Sequence, residues 1–256
     1  MADTTADAGK IDIARVIQQT FAVLGRNFVT YLVLTLLLYG VPAAIVSYFQ
    51  YQSLQAGQLF GMSTIFTWLV TVVASAILQG TLIYATVQDL NDRKPSVGDS
   101  LATGLRSFLP IVVVGILFFF AFLLGCIALV VPGIMLACAW IVAVPAVVAD
   151  RTGIMGAFGR SAELTRGNRW RIFALLLIWV VLVAVVSNLV NAFGGGPQMV
   201  GADLTSLRVS PLYMVLSLVY GLAASMIAST AVAVLYVELR TAREGIGPSG
   251  LAAIFD

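Results

Sequence analysis

Between Arg26 and Asp89 the chain carries no charged side chain, and three further uncharged runs follow at 107–149, 172–202 and 209–237. A helix of about 20 apolar residues crosses the hydrocarbon core of a bilayer, so each run can span it at least once. Backbone groups in lipid must be paired internally, and none of the runs alternates as a barrel strand would. This predicts an all-α, polytopic membrane protein. Composition agrees, with 60% of residues hydrophobic and 10% charged, against about 25% charged in a soluble domain.

Six transmembrane helices are predicted, at about 28–48, 63–87, 108–130, 133–149, 172–193 and 212–239. Spans three and four are divided at Val131-Pro132-Gly133, because a Pro-Gly step punctuates a helix. Cys126 and Cys138 then lie at similar depth on either side of that turn, as apolar thiols able to approach each other. A Gln-rich segment, 50–62, joins spans one and two. A Gly-rich loop, 194–210, joins five and six, and its Gly194-Gly195-Gly196-Pro197 run reads as flexible. Thirteen of the fourteen Lys and Arg residues fall on one side of this arrangement, with Arg208 alone on the other. By the positive-inside rule both termini are cytoplasmic, and the expected location is a bacterial inner membrane.

The approaches to spans one, three and five are alike. Ile13, Ile17, Phe21 and Leu24 precede Gly25-Arg26-Asn27-Phe28. Val97, Leu101 and Leu105, with Gly104, precede Arg106-Ser107-Phe108, and Ile154, Phe158, Ser161 and Leu164 precede Gly167-Asn168-Arg169-Trp170. Three- and four-residue spacing gives a helix one apolar face. A glycine near its end can relax the backbone into a turn. The following basic or polar residue and aromatic suit a headgroup boundary. Asp89, Asp150 and Glu238 end the even spans. The expected unit is therefore a cytoplasmic interfacial helix followed by a hairpin, used three times. Interfacial helices are expected at about 11–25, 96–106 and 153–166, and hairpins at about 28–87, 108–149 and 172–239. Residues 1–10 read as a disordered polar N-terminus without a cleavable signal, and 11–256 as one membrane domain. A truncated amphipathic segment, 248–255, would close the chain. Ser96-Val97-Gly98-Asp99 fits a capping box at the second interfacial helix.

The densest local signal runs from Val131 to Arg171: VPGIML, Trp140, Pro145, Asp150, Gly153, then GAFGRSAELTRGNRWRIF. It resembles the membrane domain of bacterial glycerophosphoryl diester phosphodiesterases and the related YciC-like integral membrane proteins. Asp150 stands where that family more usually has Glu. The resemblance implies a multi-span protein, sometimes joined to a soluble phosphodiesterase domain. That domain uses histidine in catalysis, and this chain has none. The family's name therefore does not carry an enzyme assignment here.

The absence of histidine also removes imidazole metal sites, Ser/Cys–His pairs and imidazole proton relays. No cofactor, metal or catalytic residue is expected. A net charge of +2 excludes a strongly basic nucleic-acid binder. Arg160, Arg166, Arg169, Trp170 and Arg171 form the strongest charged cluster. Its plainer reading is topogenic; the alternatives are anionic-lipid headgroups, which arginine grips in a bidentate way, or a protein partner.

Thr67, Thr71, Ser75 and Gln79 make a polar row on span two, and Ser187, Asn188 and Asn191 lie near the outer end of span five. Such rows could line a path, but more often they bond across helix contacts. Ser217, Gly221, Ser225, Ser229 and Ala233 form a small-residue stripe on span six, expected to pack inside the monomer. The expected role is non-enzymatic: a membrane-organising or accessory protein that engages lipid or a partner on its cytoplasmic face. The alternative is a transporter of a lipid or small amphiphile along a path between spans two and five. Expected partners are membrane lipids, anionic ones among them, and a membrane protein or second copy.

Overall fold

The computed structural model describes residues 10–55, 62–150, 152–199 and 207–245. The segment 248–255 and almost all of 1–10 lie outside them. Among the described residues, six helices are long and apolar enough to cross a membrane. The only strands among the described residues are a two-residue antiparallel pair, β1 (Gln198–Met199) with β2 (Leu207–Arg208).

α1 (Ile13–Arg26) starts at Asp12, whose carboxylate accepts the Ala14 N–H at 2.9 Å. Its buried face is Val16, Thr20, Val23 and Leu24. Ile17 and Phe21, on the apolar face read from the sequence, are exposed.

α2 (Phe28–Thr35) and α3 (Val41–Gln55) make the first span, joined by one π-helical turn, Leu36–Gly40. Pro42 has no N–H for the Leu38 carbonyl, and the turn before it widens so that Val41 N–H reaches Leu36. α4 (Met62–Leu90) is the second span.

α5 (Val97–Ala128) differs from expectation. It runs 32 residues without a break, so the second interfacial helix is the first part of span three. Gly104 loosens no turn there. It is where α5 meets α4: a Cβ at Gly104 would collide with Thr81 Oγ1 and lie 2.6 Å from the Ile77 carbonyl oxygen. Ser96 caps the helix, its Oγ accepting the Asp99 N–H at 3.4 Å.

The turn between spans three and four is Leu129, in extended conformation, three residues before Pro132. Proline is tolerated in the first turn of a helix, where its missing N–H has no partner to lose. Pro132 accordingly sits inside α6 (Val130–Trp140), and Gly133 packs directly against Cys126. This corrects the expected cysteine geometry. At 1.5 Å per residue Cys126 lies about 4.5 Å from the turn and Cys138 about 13.5 Å, so the thiols are not level. Both are free.

The fourth span breaks again at Ile141–Val142 before α7 (Ala143–Asp150). Pro145 cannot donate to the Ile141 carbonyl, which accounts for the position. α8 (Gly153–Thr165) is clamped beside that break: Ser161 and Thr165 donate their hydroxyls to the Ala139 carbonyl at 2.9 and 3.1 Å. Trp140 meets Phe158 edge to face at 4.8 Å. Gly167, at φ 86°, makes the turn into α9 (Arg169–Gly194), a conformation that glycine alone adopts freely.

α10 (Pro211–Glu244) is the hub, packed against α1, α2, α4, α8 and α9. Gly221 seats Tyr39, and Ser229 and Ala233 are buried. Ser217 and Ser225 donate to the carbonyls of Met214 and Leu222 in their own helix. The densest burial lies at the end holding Asp89, Asp150 and Glu238. It comprises Leu82, Ile83 and Val87 of α4, Ala143 and Ala146 of α7, and 233–237 of α10. α9 buries only Ile172 and Gly194.

Candidate functional site

The acids that end the even spans each take an arginine from an amphipathic helix or its cap. Asp89 accepts from Arg26 Nη2 at 2.6 Å and from Asn27 Nδ2 at 2.7 Å. Glu238 lies 3.9 Å from Arg15, a loose pair. Asp150 is the most heavily used, accepting from Tyr236 Oη at 2.6 Å, Arg240 Nη1 at 2.9 Å and Arg160 Nε at 3.1 Å.

Arg240 and Arg160 also both reach Glu244, Arg240 Nε at 2.9 Å and Arg160 through Nη2. Two arginines and two carboxylates thus close a ring of zero net charge that ties α7, α8 and α10 together. The side chains of Arg240 and Asp150 are 9% and 11% exposed. Burial opposes the charge on Arg160, but hydrogen bonds to Glu244 and Asp150 outweigh it and raise the guanidinium above its usual value. The ring was not expected from sequence, although Arg240 and Glu244, one helical turn apart, were a partial sign.

The ring corrects the assignment of Arg160 as a lipid contact. Its side chain is 20% exposed and its donors go to Asp150 and Glu244, with Glu163 at 3.9 Å. Arg171 also turns inward: it donates to the Ile11 carbonyl, while Asn168 Oδ1 accepts the Ile11 N–H at 3.1 Å. These contacts fasten the residues before α1 to the start of α9.

Arg166, Arg169 and Trp170 remain at the surface. Arg166 is exposed, and its carbonyl accepts from Arg243. Trp170 is 84% exposed and meets Phe173 edge to face at 6.0 Å. Arg169 is half-buried, and its Nε is fully enclosed without a hydrogen-bond partner among the described residues. Beside it lies a cavity of about 190 Å³ whose other lining residues are Val131, Ile134, Met135, Cys138, Trp170 and Phe173. A buried donor without an acceptor costs about 1–3 kcal/mol, and the cavity beside it is walled by apolar surface.

The polar rows do not form a path. Thr67, Thr71 and Ser75 donate to the carbonyls of Thr64, Thr67 and Val72 in their own helix. Asn188 and Asn191 do likewise to Ala184 and Ser187. Gln79 is half-buried on α4, yet α4 and α9 share no substantial contact: α4 packs on α5, α3 and α10, and α9 on α10 and α6. The alternative of a path between spans two and five has no shared helix contact to line it, since each span packs mainly on other helices.

Compared with known proteins, the chain matches no family model, no curated protein and no solved structure.

Proposed function

We propose that this chain is a multi-pass protein of a bacterial inner membrane, with its arginine-rich end and both termini in the cytoplasm. Its role in this reading is non-enzymatic: it organises membrane or assists a partner by holding anionic lipid at Arg166, Arg169 and Trp170. The observation that carries the reading is the surface position of Arg166 and Trp170 on either side of the half-buried Arg169. A phosphate at this surface would accept from two guanidinium nitrogens together, a geometry lysine cannot reproduce. Trp170 would seat its ring at headgroup level. Membership of the phosphodiesterase-membrane-domain-like family belongs to the same proposal and rests on the motif from Val131 to Arg171. Transport has less support, since Thr67, Thr71, Ser75, Asn188 and Asn191 bond to carbonyls of their own helices.

Arg169→Lys keeps the charge and loses the fork. Retention of anionic lipid through purification, read by native mass spectrometry, is expected to fall about fivefold, the equivalent of about one kcal/mol. Trp170→Ala should weaken it further, and added salt should lower it in the parent protein. Unchanged retention in Arg169→Lys at normal expression would favour the topogenic reading.

Orientation has its own test, in a background lacking Cys126 and Cys138. Single cysteines replacing the exposed residues Gln52 and Pro197 should react with an impermeant thiol reagent on intact cells. Cysteines replacing Lys94 and Glu163 should not. Labelling of Glu163→Cys from outside would reverse the assignment.

A further inference from the structure

On the first turns of α5, Asp99, Ala102, Thr103, Arg106 and Ser107 fall at i, i+3, i+4, i+7 and i+8 and therefore share one helix face. That spacing ordinarily marks an apolar stripe packed on a neighbour. Here the stripe is polar, and it lines a cleft of about 470 Å³ against α4 and α7. α4 contributes Tyr84 and Gln88 to the opposite wall, and the last turn of α7 contributes valine and alanine side chains. The cleft's volume lies within the range of small-ligand sites, about 300–1,000 Å³.

Three observations set this stripe apart from an ordinary solvated face. Thr103 and Ser107 do not donate to their own helix, whereas Thr67, Thr71, Thr81 and Ser100 all do. The capping box is only half made: Ser96 Oγ accepts the Asp99 N–H, but the Ser96 N–H does not donate in return to the Asp99 carboxylate. Asp99 and Arg106 have no ion-pair partner among the described residues, in each other or elsewhere. Seven residues apart on one helix, they stand about 10 Å apart along its axis. On another flank of the same helix, Leu105 and Leu109 are exposed and apolar.

We propose that this cleft binds an ammonium–phosphate zwitterion, the chemistry of a phosphoethanolamine headgroup. Arg106 takes the phosphate as a bidentate donor, and Asp99 takes the ammonium. The hydroxyls of Thr103 and Ser107 add hydrogen bonds between them. For a lipid bearing this headgroup, Leu105 and Leu109 offer an apolar surface to the chains. A site with one unpaired charge of each sign favours a zwitterion over an anion, because an anionic headgroup leaves the carboxylate without a cation and repels it.

The test uses the full chain in lipid nanodiscs containing equal phosphatidylethanolamine and phosphatidylglycerol, with bound lipid read by native mass spectrometry. The parent protein should retain phosphatidylethanolamine with several-fold enrichment. Asp99→Asn should bring the two lipids to parity, and Arg106→Gln should lower occupancy by both. Each variant should keep its thermal midpoint, because both side chains are exposed. Ala102→Phe, which fills the cleft, should abolish the enrichment. Competition by soluble glycerophosphoethanolamine would identify a free solute as the occupant; failure to compete, with enrichment intact, would identify the lipid. No bound phosphatidylethanolamine in the parent, or phosphatidylethanolamine binding that survives both Asp99→Asn and Arg106→Gln, would overturn the proposal. Arg169→Lys should leave the amount of bound phosphatidylethanolamine unchanged while reducing bound phosphatidylglycerol, so the two sites fail or stand separately.

Discussion

Asp150→Ala is expected to destabilise the fold by about 3–5 kcal/mol, the usual loss when one partner of a buried ion pair is removed. Tyr236 and Arg240 would lose a shared acceptor in a dry setting, and Arg160 would keep only its contacts to glutamates. The measurement is the thermal midpoint of the purified protein in nanodiscs, with Lys94→Ala as a surface control expected to stay within about 0.5 kcal/mol. Residues of one network are not additive. Asp150→Asn combined with Arg240→Gln should therefore be less harmful than the sum of the two single changes. A loss below about 1 kcal/mol in Asp150→Ala would show that the ring is incidental to the fold.

Gly104→Val should be comparably damaging, for a steric reason. The added carbon would be driven into the Ile77 carbonyl oxygen, 2.6 Å away, and into the Thr81 hydroxyl. A hydroxyl can rotate away, but a backbone carbonyl within a helix cannot. Overpacking typically costs about 1–3 kcal/mol where side chains can yield, and a loss of about 3 kcal/mol or more is expected here. Thr81→Ala placed beside Gly104→Ala separates the two obstacles. It should recover only part of the loss, because the carbonyl remains. Full recovery would mean that α4 and α5 are free to move apart at this contact.

The spans were legible because their signal is long and local: uncharged runs of a length that lipid demands, bounded by basic and aromatic residues. Boundaries that depend on a single residue were less so. Pro132 looked like a turn, yet a proline one or two residues inside a helix start loses nothing, so Leu129 could turn instead. Gly104 looked like a helix end. Its role is set by α4, which no pattern around position 104 encodes. Among the site residues, Arg166, Arg169 and Trp170 lie at the surface, while Arg160 and Arg171 turn inward. That division follows from contacts across 10 positions to Asp150, 84 to Glu244 and 160 to Ile11. Charge and spacing in the loop cannot distinguish an arginine that faces lipid from one that holds the bundle shut. The polar stripe from Asp99 to Ser107 was present in the sequence at helical spacing. The apolar residues Val97, Leu101 and Leu105 on the opposite face give the stronger pattern and mask it.

The uneven distribution of burial has a mechanical consequence. At the end where the ring lies, protein packs on protein. Beyond it α9 runs nearly bare, and Val180, Leu182, Val215 and Val219 face outward. There the surrounding acyl chains supply the contacts that side chains supply elsewhere. The molecule thus has a rigid head of its own making and a stem whose order is borrowed from the bilayer. A thinner or thicker membrane would be accommodated by tilt and bending of the stem, at a fraction of a kcal/mol per ångström, while the head keeps its shape.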